Sequence, residues 1–211
     1  MPIEIDITER LEQIAEATLR VAEREGPAAI TIRAVAAELG GSTAVVTNYL
    51  ATRSDLLVNA IRHAQRGWRE DLDSHVNPHE GAQRLRAYME WSAGTVGHDR
   101  AVRQIWLDVA AKAESRSAAF ELLRQDAVEH HRMLRAAVAE AGAPDADFAA
   151  DVLYLMLRGF YFASTEDPEL WTDERVGAAV SRLTDVFIAG LGTRTTGADE
   201  TSAETDGGTG R

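Results

Sequence analysis

Residues 42–53 carry side chains whose types and spacing could contact a nucleic acid. Thr43, Ala44, Val45 and Asn48 are small or amide-bearing residues. An Asn amide can make a two-point contact with adenine, and Ala or Val can contact the methyl group of thymine. Hydroxyl and guanidinium groups nearby could hold phosphates, as could the free N–H groups at a helix start. These further candidates are Thr31, Arg33, Ser42, Thr47, Tyr49 and Arg53.

Several of these candidates also have an interpretation that needs no nucleic acid. Ser42 and Thr31 are good helix N-caps, because their side chains can accept a backbone N–H. Tyr49 could belong to the core, and Arg53 could be an ordinary surface charge. The sequence leaves these alternatives open.

A second set of residues could enclose an amphipathic small molecule. Aromatic residues with polar tips and one histidine fall on apolar stripes in the middle of the chain, a mixture suited to an apolar pocket with a few polar groups. An ordinary core is the alternative interpretation of such stripes. The candidate ligand-binding residues are Trp68, Tyr88, Met89, Trp106, Phe120, His130, Leu157 and Tyr161.

The common catalytic and metal-binding patterns are missing from the sequence. Without cysteine there is no thiol catalysis, disulfide or thiolate metal site. The single lysine, Lys112, follows an alanine, so no phosphate-binding Gly-Lys-Ser/Thr loop exists. His75 and His79 lie four apart, but Pro78 interrupts a helix between them. We therefore expect no metal and no cofactor.

Composition indicates a globular chain without a membrane span. Of the 211 residues, 45% are hydrophobic, which is enough for a buried core. No apolar run approaches the ~20 residues that cross a bilayer. The start, MPIEIDITER, lacks the shape of a signal peptide. We expect a cytoplasmic protein, and its net charge of −12 argues against non-specific coating of nucleic acid.

The apolar periodicity is helical nearly throughout, which predicts an all-α fold of about nine helices. An N-terminal helix, preceded by a capping pair at Asp6 and Glu9, ends at Gly26. Asn77 is expected to cap a fresh helix, and Thr52 with Asp55 to open a long one. The predicted helices cover residues up to 25, 31–39, 42–49, from 52 through Trp68, 79–96, 100–112, 116–141, 146–165 and 173–191.

Two short helices joined by a glycine turn form a helix-turn-helix. Ala36 must be small where the helices cross, Gly40 can take the left-handed turn conformation, and Val46 can anchor the second helix in the core. Residues 8–60 resemble the N-terminal part of the TetR family of transcriptional regulators. The residues that carry this resemblance are Ala36, Gly40, Ser42, Val46, Tyr49, Leu50, Arg53, Asp55, Leu56 and Leu57.

The chain departs from the family pattern at four positions. Gly41 replaces a residue that is usually apolar, and Thr47 replaces a tyrosine common there. Leu50 replaces the usual phenylalanine, and Arg53 replaces the usual lysine and keeps its positive charge. Loss of the tyrosine puts one phosphate contact in doubt.

The resemblance implies a three-part organisation. Residues 1–57 would form a helix-turn-helix DNA-binding domain, 58–192 a helical bundle for ligand binding and dimerisation, and 193–211 a disordered acidic tail. The implied function is a repressor that binds a palindromic operator as a homodimer and is released by a small apolar or aromatic effector. The apolar segment 152–163 and the final helix, with Val176 and Val180 on its stripe, suit an interface between two subunits.

The distribution of charge allows a modest DNA-reading surface. Residues 1–57 carry a net charge of −4, yet Leu39–Ser54 contains no acid and one basic residue, Arg53. Residues 58–192 carry a net charge of −6, which favours a neutral or cationic ligand. Two other functions stay open: a helical-bundle enzyme using Glu90 or Asp108, and a dimerisation module that has lost DNA binding.

Overall fold

The structure, a computed structural model, describes residues 7–112, 114 and 116–195, with side chains at 96–98 and 191–195 left out of the description. In these ranges every regular element is a helix, which confirms the all-α prediction. None of the described helices is long and apolar enough to cross a membrane. The nine α-helices are α1 (Ile7–Glu25), α2 (Ile32–Glu38), α3 (Ala44–Thr47), α4 (Arg53–His75), α5 (Gly81–His98), α6 (Arg100–Lys112), α7 (Ala118–Glu140), α8 (Ala146–Glu166) and α9 (Asp173–Thr195).

Two of the predicted helix starts are confirmed by their hydrogen bonds. The Thr31 hydroxyl accepts the Ala34 N–H at 3.0 Å and caps α2. Thr52 and Asp55 form a full capping box, with bonds of 3.1 and 2.9 Å, at the start of α4. Such reciprocal bonds satisfy N–H groups that a helix start leaves unpaired.

Two other predicted caps are wrong, and one lies outside the described residues. Thr43, not Ser42, precedes α3, and its side chain makes no capping bond. Asn77 lies in the turn after α4 and donates to Asp73 instead of starting α5. The start of α5 is satisfied from another helix, because Glu140 of α7 accepts the N–H of Gly81 at 2.8 Å. The Asp6 end of the first capping pair and residues 196–211 of the expected tail are outside the described residues.

The turn between α2 and α3 requires glycine at its first position. Gly40 has φ +69°, and its N–H donates to Ala37 while the N–H of Gly41 donates to Ala36. This bond pair closes the end of α2 and leads the chain into α3. At Gly41 the space is already filled: a Cβ there would meet a Val45 methyl at 3.0 Å. Val45 thus fills the space that the apolar side chain usual in the family at position 41 would occupy.

We predict that Gly40→Ala destabilises the fold by about 1 kcal/mol, because an L-residue is strained at this φ. Gly67→Ala is the matched control: Gly67 lies inside α4, and an added Cβ meets nothing within 4 Å. Urea unfolding should show Gly67→Ala unchanged or more stable by up to ~1 kcal/mol. Equal effects of the two changes would contradict the role given to Gly40.

Two clusters of buried side chains hold the helices together. The first joins α1–α4 to α6 and the start of α7, with Ile14, Val46 and Ile105 fully buried. The second joins α5, α7, α8 and α9 around Leu85 and Leu134. α4 runs unbroken through residue 57, so the predicted boundary between the two functional parts falls inside one helix. That division stays a prediction.

Candidate nucleic-acid interface and ligand cavity

The candidate base-reading side chains lie on and beside α3, next to the turn at Gly40. Thr43, Ala44 and Asn48 are exposed. Val46 points the other way and is fully buried, so it fixes the orientation of this short helix. Val45 is partly buried against the core, which leaves it less available than its neighbours. The arrangement presents small and amide side chains of the kind that can enter a groove of DNA.

The candidate phosphate contacts differ in their surroundings. Thr31, Arg33, Ser42 and Thr47 are exposed, whereas Tyr49 is partly buried and packs on the N-terminal core. Thr31 is already engaged as the cap of α2. Its second lone pair and the exposed start of α2 remain compatible with an anion.

Two basic residues of α1 are engaged by an acid. Arg20 donates to Glu38 at 2.9 Å and Arg24 donates to the same carboxylate at 3.0 Å. These hydrogen bonds lower the pKa of Glu38 below its ordinary value. Because Arg20 and Arg24 are engaged in these ion pairs, the exposed Arg33 of α2 is a better candidate than either of them for a phosphate contact.

Arg53 is engaged by the protein itself, although its side chain is 35% exposed. Its guanidinium donates to the Ile30 carbonyl at 3.0 Å, to the Pro27 carbonyl at 2.8 Å and to Asp108 of α6 at 2.9 Å. These bonds use Nε and Nη2 of Arg53, and its expected phosphate contact stays a prediction. Arg53 instead ties the N-terminal helices to α6.

Asp108 forms ion pairs with two basic side chains at the junction between α6 and the N-terminal helices. Its side chain is 9% exposed and pairs with Arg53 and with Lys112, one turn further along α6. Burial by itself raises the pKa of Asp108, but the hydrogen bonds from Lys112 and Arg53 outweigh it and lower the pKa below its ordinary value. The carboxylate is thus charged at neutral pH and holds the junction electrostatically.

A cavity of about 780 Å³ lies among α4–α8. A volume of this size suits a drug-sized ligand. Three tryptophans, two tyrosines and several aliphatic residues supply most of its wall. The wall includes Gln65, Trp68, Trp91, Thr95, Arg103, Trp106, Leu122, Asp126, Glu129, His130, Met133, Tyr154, Arg158, Tyr161 and Phe162.

Four of the eight sequence-predicted ligand residues line this cavity: Trp68, Trp106, His130 and Tyr161. The other four do not. Tyr88, Met89 and Leu157 are at most 2% exposed and belong to the second core cluster, and Phe120 is 40% exposed at the start of α7. Along α7 the wall extends from Leu122 to Met133 and includes Leu123, Ala127 and His130, so Phe120 lies just before the part of the helix that faces the cavity.

Sequence reasoning missed the charged residues of the cavity wall. Arg158 is the single charged residue in the apolar segment 152–163. A lone charge in such a segment is the sequence feature that could have indicated its place in the cavity wall. Its guanidinium lies 5.0 Å from the Tyr154 ring centre, 5.7 Å from that of Tyr161 and 5.8 Å from that of Trp106. Asp126 accepts it at 3.5 Å and also accepts the Gln65 amide at 3.0 Å.

Arg103 is a further guanidinium of the cavity wall and, with 9% exposure, is more deeply buried than Arg158. It lies 3.9 Å above the Tyr161 ring and donates to the Thr95 carbonyl at 3.0 Å and hydroxyl at 2.6 Å. Burial lowers the pKa of Arg103 from its ordinary value. In the described part of the chain no carboxylate lies within ion-pair distance of it.

Three residues of the cavity wall each carry a buried nitrogen atom that has no hydrogen-bond partner among the described residues. They are Nε1 of Trp91, Nε1 of Trp106 and Nε2 of His130. The indole of Trp68, in contrast, donates to Asp99 at 2.7 Å. Burial, followed by the charges of Arg158 and Arg103, lowers the pKa of His130 to about 3, so its ring is neutral at physiological pH.

The helix-turn-helix, with a cavity connected to it by α4 and α6, defines an all-helical transcriptional regulator. Residues 81–189 match the family described as BetI-type transcriptional repressor, C-terminal. The chain belongs to the TetR family of transcriptional regulators, and it is a regulator and not an enzyme. A comparison with curated protein sequences found no match.

Solved structures share the fold. A TetR transcription regulator from Haloarcula marismortui superposes with a TM-score of 0.70 at 22% identity, covering 85% of this chain and 98% of that one. FadR from Bacillus subtilis, in complex with stearoyl-CoA, gives 0.67 at 12%, covering 82% and 96%. A regulator from Saccharomonospora viridis, in complex with choline, gives 0.69 at 20%, covering 84% and 96%.

Proposed function

We propose that the protein is a repressor that binds a palindromic operator as a homodimer and is released when a small apolar or aromatic molecule enters the cavity. One observation carries the proposal: α4 begins directly after the exposed residues of α3 and, four turns later, places Trp68 in the cavity wall. A shift of α4 at the cavity would therefore move the reading surface. In the neighbouring structures, stearoyl-CoA and choline show that this fold accommodates small molecules.

The proposed mechanism is a shift between two conformers. Effector binding favours the conformer whose two reading surfaces no longer match the spacing of the operator half-sites. The ion pair between Arg53 and Asp108 gives α6 a second connection to the N-terminal helices. Because α6 also carries Trp106 into the cavity, both helices can transmit the change.

The homodimer is supported by an apolar face on α8. Phe148, Val152, Leu155 and Phe162 lie at helical spacing and are 44–68% exposed. The expectation for α9 needs correction, because Val176 and Val180 are fully buried in their own subunit. The outer face of α9 holds smaller residues and the exposed Val186. A second copy of the chain is the occupant that we propose for the face on α8.

Leu155→Glu is predicted to convert the dimer to a monomer, because it places a charge in the centre of this face, where Leu155 is 68% exposed. Light scattering after gel filtration should give twice the chain mass of 23.0 kDa for the parent and the single mass for the variant. Leu170→Glu, at an exposed leucine outside α8, should stay dimeric. A parent of 23.0 kDa would overturn the dimer proposal.

The function is tested by selecting duplexes from a random double-stranded pool at modest salt and measuring affinity by fluorescence anisotropy. Enrichment of a palindrome, bound by one dimer, would support the repressor. A folded, dimeric protein that enriches no sequence would contradict it and favour the dimerisation module that has lost DNA binding. The division into residues 1–57 and 58–192 and the cytoplasmic location remain part of this proposal.

A further inference from the structure

We propose that the effector is a flat apolar molecule that carries a carboxylate, and that the cavity disfavours ammonium ligands. This inference rests on the proposed function for the role of the ligand as an effector, but the binding itself can be measured without DNA. The net charge of residues 58–192 favours a neutral or cationic ligand, whereas this proposal favours an anionic one.

The unpartnered nitrogen atoms point to a ligand with hydrogen-bond acceptors. An indole N–H can only donate, so Trp91 and Trp106, both residues of the cavity wall, carry buried donors without a partner among the described residues. A buried donor without a partner is unfavourable by about 1–3 kcal/mol. A carboxylate offers about four lone-pair directions and can satisfy such donors, whereas an ammonium has no acceptor.

The charge of the cavity wall favours an anion. Arg103 is buried with no carboxylate in ion-pair distance among the described residues, and Arg158 shares Asp126 with Gln65. The second acid of the wall, Glu129, is bound by Arg132 at 2.6 Å on the exposed side of α7. Arg103 and Arg158 also lower the pKa of His130, so both create a field that opposes positive charge there.

Three of the five tryptophan and tyrosine rings in the cavity wall already have a guanidinium of the protein close to them. Ring faces of tryptophan and tyrosine attract ammonium groups, and a set of them would suit a quaternary ammonium. Here the Arg158 guanidinium lies within 5.8 Å of three rings, and Arg103 lies over Tyr161. At Trp106, Tyr154 and Tyr161 a ligand cation would therefore meet a like charge of the protein.

The proposal is tested with three probes of one shape: 2-naphthoate, 2-naphthamide and 2-naphthylmethylammonium. Titration of the full chain, followed by calorimetry and by quenching of tryptophan fluorescence, gives each Kd at pH 7. We expect the naphthoate to bind at least tenfold more tightly than the ammonium, with the amide between them. Ammonium binding as tight as naphthoate binding would overturn the proposal, and so would a naphthoate that does not saturate at millimolar concentration.

Two substitutions locate the anion site. Arg103→Met removes a guanidinium that has no carboxylate partner and should weaken naphthoate binding at least tenfold. Arg158→Met should weaken naphthoate and tighten ammonium binding, because it frees the aromatic rings and leaves Asp126 without its cation. Arg124→Met, at an exposed position of α7, is the control and should change neither Kd. Unchanged naphthoate affinity in a folded Arg103→Met protein would overturn the assignment.

Failure of this inference is distinct from failure of the repressor function. Naphthoate binding without an enriched duplex would support the cavity chemistry and contradict the repressor. An enriched duplex together with a preference for the ammonium would support the repressor and contradict the carboxylate. Circular dichroism of each variant establishes that it is folded before its Kd is compared.

Discussion

Replacing Asn48 and Thr43 by alanine is expected to abolish sequence-specific DNA binding while leaving the fold intact. Both side chains are exposed, so neither contributes to the core. A good bidentate base contact discriminates by about 1–3 kcal/mol, so the Asn48 contact alone, made twice in a dimer, accounts for a loss of about 2–6 kcal/mol. Anisotropy with the selected duplex, compared with a scrambled duplex, measures this loss, and urea unfolding checks stability.

Two comparisons separate base reading from general effects. Thr165→Ala changes an exposed threonine on α8 and should leave operator affinity unchanged. Arg33→Ala should weaken binding to operator and scrambled DNA alike and reduce the salt dependence, as expected for a phosphate contact. If the Asn48 and Thr43 double variant kept its preference for the operator, α3 would not be the reading helix.

Asp108→Asn is expected to uncouple the cavity from the reading surface and to destabilise the protein by about 1–2 kcal/mol. The change removes the charge that Arg53 faces across the junction. Arg53 is 35% exposed, so solvent screening keeps the loss below that of a fully buried pair. Coupling is the ratio of operator Kd values with and without 2-naphthoate, and we expect it to fall about fivefold, or ~1 kcal/mol.

The pH dependence of this variant provides an independent check. The folded protein lowers the pKa of Asp108, so its contribution is present above the unfolded-state pKa of about 3.9 and is lost as pH falls through the lower folded value. The stability difference between parent and Asp108→Asn should therefore be constant near neutral pH and disappear at acid pH. Lys112→Met, which keeps the pair with Arg53, should retain the coupling. A coupling unchanged by Asp108→Asn would contradict the role of the junction.

Local signals account for what the sequence predicted well. The helices follow from apolar periodicity, and the caps at Thr31 and Thr52 depend on bonds three residues away. The anchor at Val46 follows from the spacing of the helix-turn-helix. Each of these features is decided within a few turns of chain, where sequence patterns are informative.

Features decided by distant partners were not predictable from the sequence. Arg53 turns inward because Asp108, fifty-five positions later, folds beside it. The start of α5 depends on Glu140 in α7 in the same way. The net charge of the C-terminal part does not describe the cavity, because most of its acids lie outside the cavity wall while Arg103 and Arg158 line it.

The pair between Lys112 and Asp108 has a practical consequence for labelling. Lys112 is the single lysine of the chain, and its side chain is 63% exposed at the end of α6. An amine-reactive dye at high pH would therefore attach there and, besides the α-amino group, at no other amine. Prior acylation of the α-amino group leaves Lys112 as the amine that takes up the dye. A single fluorophore could thus report, in real time, on movement at the junction between α6 and the N-terminal helices.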